Sequence, residues 1–424
     1  MESLTNTPTT PNESRIPHLE DYAAIVGQPE IHELRELAHR LGGRRVKMVN
    51  STAVGGGVAE ILNRLVPLLD ELGVPTRWEV LKGGEDFYMV TKAFHNALHG
   101  APFDDHPEWF DLFLKVTEEN RRWIELDEDF IVIHDPQPAA LVPAREGRKN
   151  HWAWRCHIDL SRPNPQVWNF LRPFVEKYDA ALFSAPSFTQ GLSIPQYLFY
   201  PAIDPISDKN RELEPEFIQN VLERFGIDPN RPILTQISRF DRLKDPVGVI
   251  QAYHRVRKYH DCQLVLAGGG ATDDPEGEIV LREVQEAAGT DPDIHILNLP
   301  PWSHLEINAL QRASTIVIQK SLREGFGLTV SEALLKKKPV IASAVGGIPF
   351  QVIHKVTGVL VQSIEGTAYQ IRYLLSNPEF ARKLGENGYE HVKENFLLTH
   401  NLKRYLILFL SLLQDKNMPA IPGS

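Results

Sequence analysis

The segment Ser314-Thr315-Ile316-Val317-Ile318-Gln319 leads into Arg323-Glu324-Gly325-Phe326-Gly327-Leu328-Thr329-Val330-Ser331-Glu332-Ala333. The first six residues read as a strand, the glycines as a turn, and Leu328 to about Lys337 as a helix. Such a strand–turn–helix exposes backbone N–H groups at the positive end of a helix dipole, which suits phosphate. A carboxylate brackets it on either side. Glu324 lies in the turn, and Glu332 lies about 6–8 Å beyond the phosphate position at about 1.5 Å per residue. A carboxylate there can accept from both hydroxyls of a ribose, so the pattern predicts a nucleotide-sugar site. The same spacing also fits two solvated acids at a helix end, which the dipole favours anyway. Other regions must separate the two.

At 424 residues the chain is too long for one ordinary core, and two domains are expected. A net charge of -10 argues against a nucleic-acid partner. Cys156 and Cys262 are the only cysteines and stand far apart, which excludes a disulfide framework and points to a cytoplasmic protein. Residues 1–17 read as a disordered lead-in without an apolar signal core. Tyr405 to Leu413 is too short to span a bilayer, so a buried helix and no membrane partner are expected.

From Arg45 to Asn50 the chain reads as a first strand, followed by Gly55-Gly56-Gly57, a helix and a second strand from Thr76 to Leu81. This rhythm predicts a parallel sheet with helices on both faces. The glycines allow close backbone approach to a ligand. They do not spell GxGxxG, and no acid ends the second strand, which counts against a dinucleotide dehydrogenase. Strands at Phe130–Ile133, Trp152 onward and Ala180–Ser184 follow, the first two ending in His134-Asp135 and His157. A second series starts at Pro232–Ile237 and continues at Gln263–Ala267, Ile294–Leu299, Thr315–Gln319 and Pro339–Ala342. The domains are expected at 18–204 and 205–397, with a helix at 398–418 packing back on the first. A ligand site would lie between them.

Arg239 and Lys244 end the first strand of the second series, at the edge that also receives the Glu324–Glu332 turn. Two cations and a helix N-terminus meeting there would stabilise a departing diphosphate. Asp127-Glu128-Asp129 and Asp291-Pro292-Asp293 fit a DxD metal pattern, but each precedes a strand and belongs to the opposite edge. They are expected to be loop acids, with no metal required.

Arg239, Lys244 and the Glu-x7-Glu of Glu324 and Glu332, with Ala344-Val345-Gly346-Gly347-Ile348-Pro349, resemble the retaining GT-B glycosyltransferases that include sucrose-phosphate synthases. Val49-Asn50-Ser51-Thr52, His134-Asp135-Pro136-Gln137-Pro138 and Trp154-Arg155-Cys156-His157-Ile158-Asp159 are similar to the members that make trehalose from a nucleoside diphosphate glucose and free glucose. The resemblance covers about residues 18–410. It implies two doubly wound Rossmann-like domains facing each other across a cleft.

The resemblance also implies roles. Arg239 and Lys244 would hold the diphosphate, with backbone amides of Gly327, Leu328 and Thr329 and of Gly56 and Gly57. Glu332 would take the ribose. Glu324, Gly325, Phe326 and His157 would address the donor sugar, and Asp135 the acceptor. The catalytic set is Glu324, His157, Arg239 and Lys244. The co-substrate would be UDP-, ADP- or GDP-glucose, with glucose or trehalose as partner and no further cofactor; a homodimer stays an option. Lys336-Lys337-Lys338 stands where a glycine often ends the helix, as a charged patch. A sugar-phosphate acceptor, for which Arg155 and Arg162 lie near the right edge, and a catalytically silent nucleotide-sugar sensor are the alternatives.

Overall fold

Alternation along the buried strands decides which face of each sheet a side chain meets. In the first half Val49, Ile131, Ile133, Trp152 and Trp154 enter one core, while Met48, Phe130, Val132, Ala153 and Leu182 enter another on the opposite face. The computed structural model describes residues 17–53, 57–104, 106–269 and 275–415. The expected lead-in through residue 16, together with Gly55 and Gly56, lies outside them.

The first sheet contains β1 (Val46–Asn50), β2 (Thr76–Val80), β3 (Phe130–His134), β4 (His151–Cys156), β5 (Ala180–Phe183) and β6 (Gln196–Leu198), ordered β2-β1-β3-β4-β5-β6. The second contains β7 (Ile233–Ile237), β8 (Gln263–Gly268), β9 (Ile294–Asn298), β10 (Ile316–Gln319), β11 (Val340–Ser343) and β12 (Val359–Val361), ordered β12-β11-β10-β7-β8-β9. Every strand pairing within the two sheets is parallel. The buried faces account for the expected strands. The edge strands β6 and β12 went unread because three residues carry too little period.

In each sheet the strand order reverses once, between β1 and β3 and between β7 and β10. Open parallel sheets bind ligands in the crevice beyond the carboxyl ends at such reversals. β1 ends at the glycine-rich segment and β3 at His134; β7 ends before Arg239 and β10 before Glu324.

The halves are tied where the chain crosses twice. Ile203 N–H donates to Phe396 O (2.9 Å) and Leu398 N–H to Ile203 O (3.0 Å). After the second crossing, the helix Leu398–Asp415 returns to the first half and buries Leu402, Leu406 and Phe409 fully, with Phe409 stacked on Phe130 at 4.6 Å. At about 1.5–3 kcal/mol for each such side chain, this helix is a substantial part of that core's stability.

Candidate active site

Two short segments bring Lys244 to Glu324. Gln236 at the end of β7 donates from Nε2 to Lys244 O (3.0 Å), and Leu322 N–H donates to Leu243 O (2.7 Å). Lys244 Nζ then lies 2.7 Å from Glu324 Oε2, which also accepts from Ser321 Oγ (3.1 Å) and Gln319 Nε2 (3.4 Å). One carboxylate oxygen is thus held three times, and Oε1 has no hydrogen-bond partner among the described residues. Arg239 is more exposed and lies 3.5 Å from Asp241.

The turn after Glu324 needs its glycines for shape. Gly327 adopts φ 84° as the N-cap of the helix Leu328–Leu335, whose first amides, at Leu328 and Thr329, have no partner within the helix. Gly346 has φ 54°, and a Cβ on it would fall 1.6 Å from Glu324 O. The 344–349 loop therefore sits against the turn, with Gly347 N–H donating to Gly325 O (3.1 Å). Gln351 ties the turn to the helix by donating to Phe326 O (2.5 Å) and accepting from Ser331 Oγ (2.6 Å).

Glu332 is buried, and Gln311 Nε2 donates to its Oε2 at 3.4 Å. Lys336 Nζ donates to Gln311 Oε1 (2.7 Å), Asn210 Oδ1 (2.9 Å) and Glu332 O (3.1 Å). Burial pushes Lys336 down to about 7. It is thus a buried brace of the carboxylate rather than part of a charged surface patch, as the lysine run suggested. Burial opposes the charge of Lys209, but Glu332 and Glu60 outweigh it and raise its pKa. None of Lys209, Gln311 and Lys336 carries a motif that sequence reading could have used.

The opposite wall carries imidazoles. His134 Nδ1 lies 3.1 Å from His157 Nε2, with the rings stacked at 5.4 Å. Burial, then Arg155, pushes His134 down to about 3, and the same two causes hold His157 well below the usual range. Asp135 adopts φ 66°, a strained region for this residue, and its Oδ1 accepts from His157 N–H (2.8 Å). Burial raises Asp135 to about 6. Sequence reading missed His95 and His99, whose ring centroids lie 4.7 Å apart, tilted by 58°, at the end of the helix Glu85–Leu98 and on the residue after it. Burial and then His99 push His95 to about 4; burial and then Lys244 and Arg323 do the same to His99.

The walls nearly touch. A Cβ on Gly325 would lie 2.9 Å from His157 O, and one on Gly57 would lie 3.1 Å from Leu328 Cδ1. A Cβ on Gly100 would meet Arg323 Nη1 at 2.7 Å, and Lys209 Nζ pairs with Glu60 at 2.7 Å. Glu324, Lys244, Gly325, Phe326 and the Gly327–Thr329 turn are therefore gathered opposite His157, Asp135 and Gly57, with Arg239 and Glu332 at the flanks. Beyond β9 an open cleft of about 620 Å³ is lined by Leu299, Trp302, His304 and Arg211.

One expectation changes here. Arg155 is fully buried, donating from Nη2 to Phe199 O (2.5 Å) and Ser184 Oγ (3.1 Å), so it cannot meet an acceptor phosphate at the cleft. Glu128 lies in the loop before β3, as expected of a loop acid, and is buried there, 3.3 Å from Lys47 Nζ. Other DxD acids are also engaged: Asp129 accepts from Arg45 N–H (2.8 Å), and Asp293 pairs with Arg231 and Arg257, both at 2.6 Å. All lie at the strand edge opposite the crevice. Among the described residues no group of three or more His, Cys, Asp or Glu side chains converges to hold a metal ion.

Residues 48–190 match the family model "Trehalose synthase, N-terminal domain", and residues 218–391 match "Glycosyl transferases group 1". The chain is 46% identical over 404 residues to a trehalose synthase of Pyrococcus horikoshii, covering 93% of this chain and 96% of that one. Its structure is similar to a sucrose-phosphate synthase from Thermosynechococcus elongatus (TM-score 0.68, 18% identity, 88% of this chain and 100% of that one). It is also similar to an α,α-trehalose-phosphate synthase (UDP-forming) from Burkholderia xenovorans in complex with glucose-6-phosphate (TM-score 0.67, 14% identity, 87% and 100%). The two facing parallel sheets are the GT-B fold, and the chain belongs to the trehalose synthase family of glycosyltransferases.

Proposed function

We propose that the protein is a retaining glucosyltransferase that forms α,α-trehalose from a nucleoside diphosphate glucose and glucose. The observation that carries it is the Lys244–Glu324 pair at the β7/β10 crevice, directly across Gly325 from the His157 carbonyl. A diphosphate beside Lys244, Arg239 and the Leu328–Thr329 amides would find its leaving charge balanced by groups already in place. Glu332 would hold the ribose, and the cleft beyond β9 would receive the base.

In the proposed step the bond from the sugar's anomeric carbon to the phosphate oxygen breaks, and its electron pair leaves with the diphosphate. The acceptor hydroxyl attacks the same face, its new bond to the anomeric carbon retains the configuration, and its proton passes to a phosphate oxygen. Glu324 Oε1 would orient donor hydroxyls, His157 the hydroxymethyl end, and Asp135 the acceptor. No resident metal has a part in this scheme. The close approach of the walls would exclude water and so limit hydrolysis of the donor.

Incubating the protein with UDP-, ADP- or GDP-glucose, each with glucose or glucose 6-phosphate, tests the reading. A non-reducing disaccharide with both anomeric carbons α is expected with glucose, with or without EDTA. Product formed only with glucose 6-phosphate would transfer the assignment to a phosphate-accepting enzyme. No product in any arm would leave a nucleotide-sugar sensor.

A further inference from the structure

Beneath His157 lies a cavity of about 10 Å³, lined by His134, Arg155, His157, Asn401 and Tyr405 together with apolar side chains. A volume of about 10–15 Å³ holds one water when several polar groups surround it. Three of the lining residues are almost wholly buried, at 1% exposure for His134, 1% for Arg155 and 4% for Asn401. Each has a buried polar atom with no protein partner: His134 Nε2, Arg155 Nη1 and Asn401 Oδ1. A buried polar atom left unpaired keeps its full desolvation penalty. One water can satisfy all three.

We infer that a water held by Arg155, Asn401 and His134 completes a one-directional hydrogen-bond chain that fixes His157 as an Nδ1–H tautomer. The direction follows from donors and acceptors. Arg155 can only donate. Asn401 Nδ2 donates to Tyr200 O (3.0 Å), which leaves Oδ1 as an acceptor facing the water. The water accepts from Arg155, gives one proton to Asn401 Oδ1 and has a second for His134 Nε2. Neutral His134 then carries its proton on Nδ1 and donates it across 3.1 Å to His157 Nε2. His157, also neutral, must carry its own proton on Nδ1. The reverse direction would aim an imidazole N–H and a guanidinium N–H at the same water, with the cation opposing the imidazole dipole.

His157 is partly exposed, and its Nδ1 has no hydrogen-bond partner among the described residues. The chain therefore ends in a donor, suited to the lone pair of a sugar hydroxyl; that last contact rests on the function proposed above, whereas the tautomer does not. Asn401 belongs to the helix Leu398–Asp415, so the returning C-terminal helix helps set the state of a side chain in the cleft. His134 and Asn401 are positioning residues in this scheme.

Histidine-selective ¹⁵N NMR of the ligand-free full chain at pH 7 reads the tautomer directly, with His157→Gln assigning the signal. A neutral Nδ1–H pattern is expected for His157; a neutral Nε2–H pattern or an imidazolium would overturn the inference. His134→Leu should turn His157 into a mixture of tautomers and lower kcat about tenfold, the size of one lost hydrogen bond. His134→Gln, which can still donate an amide N–H to Nε2, should restore the single tautomer. A single Nδ1–H pattern in His134→Leu would also overturn the chain. If the Leu variant does not fold, the wild-type spectrum decides alone. An Nδ1–H pattern without trehalose formation would leave the chain standing and remove only the proposed function.

Discussion

The two crevices share a topology and differ in charge. Each lies where its sheet's strand order reverses, yet the second is walled by Arg239, Lys244, Glu324 and Glu332, and the first by imidazoles kept neutral. The fold explains the location of both and the chemistry of neither. In the proposed reaction the diphosphate bears permanent charge, which fixed cations can match in advance. The sugar is neutral until positive charge develops at its anomeric carbon, and an imidazolium beside it would oppose that charge. In that scheme fixed cations face the group that leaves, and neutral imidazoles, with the single carboxylate Asp135, face the sugars.

Removing the acid that pairs with Lys244 should have the largest effect. Glu324→Ala is expected to lower kcat about 10³-fold, at the upper range for one preorganised group, while nucleotide binding changes only a few-fold. Stopped-flow or calorimetric titration with the nucleotide, beside steady-state rates, separates the two. Equal loss of both would make Glu324 a structural partner of Lys244 rather than a group acting on the sugar. The double variant Glu324→Ala/Lys244→Met should be far less than additive, because each single change strands the other's charge.

The charged wall was the more legible of the two. Arg239, Lys244, Glu324 and Glu332 follow strands whose apolar runs are visible, and their spacing repeats a family pattern. The neutral wall depends on contacts that cross long separations. His134 and His157 end adjacent strands, so their shared edge could be read, but their 3.1 Å contact could not. Arg155 looked like a cleft cation because its alternation partner along β4 was unknown; burial under Phe199 and Tyr405 became visible only in three dimensions. His95 and His99 sit at the end of an ordinary amphipathic helix and just after it, where histidine carries no signal. Lys336 misled for the same reason: three consecutive lysines resemble a solvated run, yet the first points inward.

Asp135, the one acid of the histidine wall, tests that wall by pH. Its raised pKa means that the folded state favours the protonated form, so this contribution to stability is present below about pH 4 and is lost as pH rises through about 6. Its proposed role needs the ionised form, so acceptor kcat/KM should fall as pH drops below about 6. Asp135→Asn should remove that limb and cost about 1.5–3 kcal/mol, roughly 10- to 150-fold in kcat/KM. An unchanged limb in the variant would move the titration to another group. Chemical denaturation at pH 4 and pH 7 provides the matching stability reading, with a smaller pH difference in the variant.

The spacing of the walls should matter less than their chemistry, and two glycines grade it. Gly325→Ala places a methyl 2.9 Å from the His157 carbonyl, a backbone atom with little freedom to move. A strain of about 1–3 kcal/mol should appear as roughly a tenfold loss of kcat with an unchanged melting temperature, because opening the cleft relieves it. At Gly57 the neighbour is Leu328 Cδ1 at 3.1 Å, the end of a flexible side chain, and Gly57→Ala should cost no more than about threefold. The reverse order would mean that the cleft closes on the Gly57 side first.

The smallest expected effect reports on the field between the walls. His95 is held near 4 by burial, then His99, with a contribution from Arg239, and His99 near 4 by burial, then Lys244 and Arg323 across the cleft. A diphosphate bound to those cations would offset part of their field, and both imidazoles should then bind protons more readily. At pH 5 this gives uptake of a fraction of a proton when UDP binds; at pH 7.5 it gives none, because the raised values remain well below that pH. The phosphate's own titration also changes on binding, so the informative quantity is the difference between the parent and His95→Asn/His99→Asn. Calorimetry in two buffers of different ionisation enthalpy measures it. The parent should take up more protons than the variant at pH 5, and equal values would place the bound anion too far from these histidines for the two walls to share one electrostatic field.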